Sequence, residues 1–142
     1  MEIMLVEDNP ADADLAMELL AGSLMVHNVA LVADGASAMR LLRKKGDYAG
    51  AARPDIILLD LNLPGMHGHD VLREIKTDAA LKAIPVIILT MSDNENDVRR
   101  AYENHANCYI VKSFDIENFN TVIRTIEAFW FNTVRLPRET IQ

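Results

Sequence analysis

A chain of 142 residues, 50% of them hydrophobic, has the size of one domain and can bury most of its apolar surface in a single core. With 21 acidic against 14 basic residues and a net charge of -7, it is repelled by nucleic acid and anionic lipid, which argues against both as partners. No apolar run approaches the roughly 20 residues of a membrane span, Met1-Glu2 before four apolar residues is no signal peptide, and the lone Cys108 reads as an inert buried thiol, so a reducing, cytoplasmic setting is expected.

The first apolar run, Ile3 to Val6, has the length of a buried strand and ends on Glu7-Asp8. Asn9-Pro10 then reads as a helix start, with Asn9 as N-cap and Pro10 where its missing N–H costs nothing. Leu15, Leu19 and Leu20 give this helix an apolar stripe as far as Gly22, and Asp12 and Asp14 complement its dipole. Val26 to Val32 is expected to form a second strand. Asp34-Gly35 opens a second helix with Ala38, Leu41 and Leu42 inward, Arg43-Lys44-Lys45 at its outer end and Gly46 as its stop. Asp47 to Pro54 is a connector.

Ile56-Ile57-Leu58-Leu59 is the run around which the chain is organised, a strand buried on both faces that delivers Asp60 to its C-terminal edge before the Pro64-Gly65 turn. Gly68 marks another bend, and Val71, Leu72 and Ile75 mark a third helix. Leu81 and Ile84 point inward from a connector. Pro85 precedes the run Val86 to Leu89, which ends on Thr90. Ser92-Asp93-Asn94-Glu95 has the spacing of a capping box, ahead of a fourth helix whose thin apolar face, Val98, Ala101 and Tyr102, predicts exposure and mobility. Asn107 to Val111 is the fifth strand and ends on Lys112. Asp115 caps a last helix carrying Phe119, Val122, Ile123, Ile126, Phe129 and Trp130. The domain is expected to span 1–134, with 135–142 an extended or disordered tail. Strands alternating with helices in this way imply a doubly wound α/β layer structure.

In such a sheet the carboxyl ends of the strands line the ligand crevice, so Glu7, Asp8, Asp60, Thr90 and Lys112 can converge. Three carboxylates there repel one another unless a cation or protons neutralise them. Hard oxygens with no obligatory histidine favour Mg2+, which keeps waters for a phosphate. Lys112 supplies a point charge, Thr90 a hydroxyl donor, and a carboxylate such as Asp60 can attack phosphorus to give an aspartyl phosphate. Taken singly, Asp60 is a turn residue, Asp8 an alternative cap, Thr90 a backbone-bonded hydroxyl and Lys112 a snorkelling lysine. The coincidence of all four strand ends favours one site. His67 and His69, with no cysteine nearby, read as solvated loop residues rather than zinc ligands, and His27 and His105 carry no signal.

Glu7-Asp8, the Asp60-Leu61-Asn62-Leu63-Pro64-Gly65-Met66 run, Thr90 and Lys112 resemble the receiver domains of two-component response regulators over essentially the whole chain. The stretch from Asn107-Cys108-Tyr109 through Lys112-Ser113 to Phe129-Trp130 and Leu136-Pro137 is similar to the stand-alone response regulators of cyanobacterial and bacterial phytochromes. The resemblance implies a flavodoxin-like five-stranded parallel sheet of order 2-1-3-4-5 with five helices. It also implies a single-domain phosphoacceptor that is not a conventional enzyme, with a sensor histidine kinase as partner. Asp60 would accept the phosphoryl group; Asp8 and Asp60 would hold Mg2+ directly, Glu7 through water and Asn62 through its carbonyl; Thr90 and Tyr109 would form the switch. Asn62 and Ser92 would tune the phosphoryl lifetime.

Two departures stand out. Ser113 follows Lys112 where most receivers have a proline in a cis peptide, and His67 stands where an acid is common. The triplet Phe129-Trp130-Phe131 spans roughly 200° of an α-helix and cannot all face one core. An exposed aromatic beside Ile126 predicts a symmetric dimer through the last helix and fifth strand, with Ile126, Phe129 and Trp130 at the interface, unless residues 134–137 fold back over it. The competing functions are a degenerate receiver-shaped interaction module, opposed by the intact acid, Thr and Lys set, and an aspartyl-phosphate phosphatase, opposed by Asn62 where a second acid belongs. A flavodoxin-like cofactor binder lacks its phosphate-cradling loop after the first strand.

Overall fold

In the computed structural model, which describes residues 1–23, 27–112 and 115–137, the apolar runs form one parallel sheet. Its strands are β1 (Glu2–Val6), β2 (Asn28–Val32), β3 (Ile56–Leu59), β4 (Val86–Thr90) and β5 (Cys108–Val111), in spatial order β2-β1-β3-β4-β5. The helices are α1 (Pro10–Ala21), α2 (Gly35–Leu42), α3 (Gly68–Thr77), α4 (Glu95–Glu103) and α5 (Ile116–Ile126). The expected doubly wound topology is the one observed.

Alternation along the three inner strands divides the core in two. Met4, Val6, Ile57, Leu59, Val86 and Ile88 pack with Leu41, Leu72 and Ile75 of α2 and α3. Ile3, Leu5, Ile56, Leu58, Ile87 and Leu89 pack with Ala16 and Leu20 of α1 and Phe119 and Ile123 of α5. Helices on both faces explain why β1, β3 and β4 are continuous apolar runs, whereas β2 and β5, each paired on one side, are less buried. As expected, Leu81 and Ile84 are buried, and α4 buries only Ala101.

Caps set the helix limits. Asn9 accepts a hydrogen bond from the Asp12 N–H at 3.1 Å and Asp34 from the Ser37 N–H at 2.7 Å. Helix α2 is terminated by Lys44 just past its end rather than by Gly46: Lys44 has φ 52°, its N–H bonds Leu41 O, and the Lys45 N–H bonds Arg40 O. His105, with φ 68°, closes α4 in the same way. Gly46 instead opens a short 3-10 turn (Gly46–Tyr48) in the connector.

Four further expectations are corrected. Asn94, not Ser92, caps α4, its side chain accepting from the Asn96 N–H at 2.8 Å; the Ser92 hydroxyl is taken by Asp97 at 2.6 Å, so the helix begins two residues later than a Ser92 cap requires. Beyond Ile126 the last helix widens into a π-helical segment, Glu127–Thr133, which turns Phe131 into the core, leaves Trp130 half-buried and exposes Phe129 by 50%. Ile126 itself is only 1% exposed and belongs to the core between α5 and the sheet, not to a surface for a second copy. The backbone at 135–137 is irregular, yet Leu136 is half-buried against that core, so this part of the tail is docked. Val26, Ser113 with its preceding peptide bond, and 138–142 lie outside the described residues. Among the described residues no helix is long and apolar enough to cross a membrane.

Candidate functional site

The site residues continue the sheet by one step beyond its strands. The Glu7 N–H bonds Val32 O at 3.0 Å, the Asp60 N–H bonds Val6 O at 3.1 Å and the Lys112 N–H bonds Thr90 O at 2.6 Å. Their positions are therefore fixed by the ladder. Gly68 makes a further constraint, because a β-carbon there would collide with the Asp60 carbonyl oxygen. Its absence lets α3 begin directly against the end of β3, with the Gly68 N–H on Leu61 O at 3.0 Å. The turn between them places Gly65 at φ 69°.

Three of the anticipated residues, Glu7, Asp60 and Lys112, are in contact at the strand ends, and Thr90 ends the adjoining β4. Glu7, Asp60, Thr90 and Lys112 are all buried, whereas Asp8 stands exposed at the mouth. Lys112 Nζ lies 3.0 Å from Glu7 Oε1 and 3.1 Å from Asp60 Oδ2. The other Asp60 oxygen accepts from the Asn62 N–H at 3.0 Å, and the Asn62 residue is otherwise exposed. Thr90 Oγ1 accepts from the Ser92 N–H at 3.4 Å. A fourth acid, Asp12, reaches the same ammonium at 3.1 Å from the first turn of α1. Sequence reasoning gave it only a dipole role; its spacing of four residues from Asp8 across a helix start was the available signal.

Electrostatics follow from this crowding. Burial, reinforced by Asp60, pushes the Glu7 carboxyl up to about 8 despite Lys112. Burial acts on Asp60 in the same sense, but the hydrogen bonds from Glu7 and the Asn62 N–H, together with Lys112, outweigh it and hold Asp60 below its ordinary value. Lys112 is likewise disfavoured by burial, yet Asp60 and Glu7 raise its affinity for a proton. Glu7, Asp8 and Asp60 each bring an oxygen within 4.8 Å of the others. Hard oxygens alone, crowded by burial and by one another, fit a divalent cation such as Mg2+ or Mn2+.

A second network adjoins the first. His69 is 1% exposed, not solvated as expected, and its Nε2 lies 3.1 Å from Asp97 Oδ1 while its Nδ1 has no partner among the described residues. His67 stacks on it, and Asp97 also accepts from the Ser92 hydroxyl. The Tyr109 hydroxyl donates to Ser92 O at 2.8 Å, with its ring packed inward on the α3 side of the sheet. The β4–α4 connection is thus tied to α3, α4 and β5 at once. Cys108, expected to be buried and inert, is half-buried, and its thiol pKa is raised by burial. A cleft of about 340 Å³ between Lys44, Arg53 and Pro137 contains none of these residues.

Comparison with known proteins agrees with this geometry. Residues 3–124 match the response regulator receiver domain family. Response regulator Rcp1 of Synechocystis sp. is 47% identical over 135 residues, covering 95% of this chain and 92% of that protein. The crystal structure of the phosphorylated cyanobacterial phytochrome response regulator RcpA superposes with a TM-score of 0.94 at 50% identity, over 96% of this chain and 98% of that one. The Mn(2+)-bound form of Rcp1 gives a TM-score of 0.93 at 46% identity, over 96% and 99%. A buried carboxylate at the end of β3, bonded to a lysine at the end of β5 and flanked by an acidic pair from β1, is what the matched fold holds at its strand ends here, and the chain belongs to the response regulator receiver domain family.

Proposed function

We propose that the chain accepts a phosphoryl group on Asp60 from a phosphohistidine of a sensor kinase of the phytochrome type, with Mg2+ as the resident cation. The observation that carries this reading is Asp60 itself, 5% exposed, bonded to Lys112 and sharing a 4.8 Å oxygen cluster with Glu7 and Asp8. Similarity to a cyanobacterial phytochrome response regulator supports the kinase class.

An Asp60 carboxylate oxygen forms the new bond to phosphorus as the phosphorus–nitrogen bond of the donor breaks, its electron pair leaving on the imidazole. Mg2+, held by Asp8 and Asp60, with Glu7 through water and the Asn62 carbonyl, would supply charge neutralisation for the transferring group. Lys112 holds a positive charge where the new oxygens arrive, and Thr90, one residue beyond Leu89, presents its hydroxyl to the same end of the sheet. Because the low Asp60 pKa keeps the acceptor ionised at neutral pH, no base is needed to activate it. Beyond taking up and losing its own phosphoryl group, the chain performs no turnover.

Thr90 and Tyr109 carry the change outward. Both engage Ser92, so a shift of the Thr90 hydroxyl toward the phosphoryl group alters the connection to which Tyr109 is bonded, and with it the α4–β5–α5 face. That face also carries the dimer we propose, through the outer edge of β5 and the end of the last helix. Phe129 and Trp130 supply it, and Val111 and Ile116, 42% and 66% exposed, extend it. Phe129→Glu should then leave a monomer by light scattering, and an unchanged dimer would remove the interface. The receiver is assigned to 1–134, and a cytoplasmic setting follows from the kinase partner.

The test is intact mass after incubation with acetyl phosphate. One phosphoryl group gained only with Mg2+, and lost in Asp60→Asn, is expected; Mg2+-dependent labelling of that variant would place the acceptor elsewhere.

A further inference from the structure

An ammonium group has three N–H donors, and in Lys112 all three meet carboxylates: Glu7 at 3.0 Å, Asp60 at 3.1 Å and Asp12 at 3.1 Å. Two of these acids belong to the cation cluster. Asp12 does not, and it comes from a point 100 residues away in sequence. Its placement is fixed from behind, since its N–H is held by the Asn9 cap and the next residue, Ala13, is only 3% exposed. Its side chain is 37% exposed, against 5% for Glu7 and 7% for Asp60.

We infer that Asp12 is a positioning residue for phosphoryl uptake: it occupies the Lys112 N–H that an arriving phosphoryl oxygen requires, and it sets an extra negative charge beside the path of the anionic donor. The inference rests on Asp60 as acceptor. When the oxygen–phosphorus bond forms at Asp60 and the donor bond breaks with its electron pair on the departing group, the pocket gains negative charge. Lys112 must then give a hydrogen bond to the phosphoryl oxygens, and one resting partner has to be released. Asp60 carries the phosphoryl group itself and Glu7 is buried, so neither can turn to bulk solvent in exchange for the ammonium. Asp12 is open to water, so it is the partner that can be given up at least cost, and until then it holds the ammonium between α1 and the acceptor.

Two consequences of opposite sign follow for Asp12→Asn, which keeps an acceptor oxygen and removes the charge. The resting protein loses an anion beside the cation cluster, so Mg2+ binds it several-fold more weakly in calorimetry. At saturating Mg2+, uptake from a dianionic donor becomes faster, on the order of tenfold for one charge removed near a dianion in a largely aqueous setting. Phosphoramidate, which carries less negative charge than acetyl phosphate, gains roughly the square root of that factor.

The experiment measures labelling rates by intact mass for the unmodified chain, Asp12→Asn and Asp12→Glu, with both donors, at low and high salt. The expected result is a larger gain for acetyl phosphate than for phosphoramidate in Asp12→Asn, shrinking with salt, with Asp12→Glu close to the unmodified chain. Equal gains for the two donors, no gain, a slower reaction or unaltered Mg2+ affinity would overturn the inference. Absence of labelling in the unmodified chain would overturn the acceptor reading itself, and the inference with it.

Discussion

The Nε2 of His69, on α3, lies 3.1 Å from Oδ1 of Asp97, on α4, and this contact joins the sparsely packed fourth helix to its neighbour. Asp97→Ala leaves both nitrogens of a buried imidazole unpartnered, with an expected loss of about 1–3 kcal/mol in urea unfolding. Burial lowers the His69 pKa, with Asp97 opposing, so the folded chain disfavours its protonation. The stability it contributes is complete above the ordinary histidine value of about 6.5 and declines as pH falls below it. Asp97, held below its ordinary value by Ser92 and His69, adds a loss at still lower pH. His69→Leu, which lacks this acid-side loss, is therefore expected to gain stability relative to the unmodified chain on going from pH 7 to pH 5; an unchanged difference between the two chains at the two pH values would remove His69 from the acid sensitivity.

Glu7 has the opposite sign. Its carboxyl is raised to about 8 by burial and by Asp60, so its stabilising proton is fully present below the ordinary carboxylate value of 4.5 and is lost as pH rises through about 8. A cation in the cluster displaces that proton. Mg2+ affinity is expected to climb between pH 6 and about 8, with a proton released on binding, and to lose this dependence in Glu7→Gln. Calorimetry in buffers of different ionisation enthalpy counts the protons; none released at pH 7 would mean that Glu7 is already ionised.

Gly68 ties stability to the acceptor. Gly68→Ala forces a β-carbon into the Asp60 carbonyl oxygen and the Leu61 backbone, so either α3 or the end of β3 must shift. A loss of about 1–3 kcal/mol is expected by thermal or urea unfolding, as for other overpacked sites. Labelling by acetyl phosphate should slow along with it, because the displaced backbone carries the acceptor. Unchanged labelling in a destabilised variant would show that α3 alone moves.

Much of this architecture could be read from the chain. A strand of Ile56 to Leu59 can only deliver Asp60 to the sheet edge, and the same reasoning placed Glu7, Thr90 and Lys112, because direction and length of a buried run follow from local pattern. The contacts that were not legible depend on reach or competition. Asp12 meets Lys112 only because a long side chain crosses from β5 to α1. Ser92 has the right spacing for a cap, yet Asp97 binds its hydroxyl more closely than any helix N–H does. His69 looked like a loop residue until α4 closed over it, and the π-helical turn after Ile126 changed which member of an aromatic triplet faces the core.

The most direct test reads the modified residue itself. The chain is phosphorylated with Mg2+ and acetyl phosphate, treated with borohydride to reduce the acyl phosphate to homoserine, digested and sequenced by mass spectrometry. Homoserine at position 60 and at no other acid is the expected result. Homoserine at Asp8 or Asp12, 5-hydroxynorvaline (the reduced side chain of a glutamyl phosphate) at Glu7, or a phosphoryl group that survives reduction, would contradict Asp60 as the acceptor.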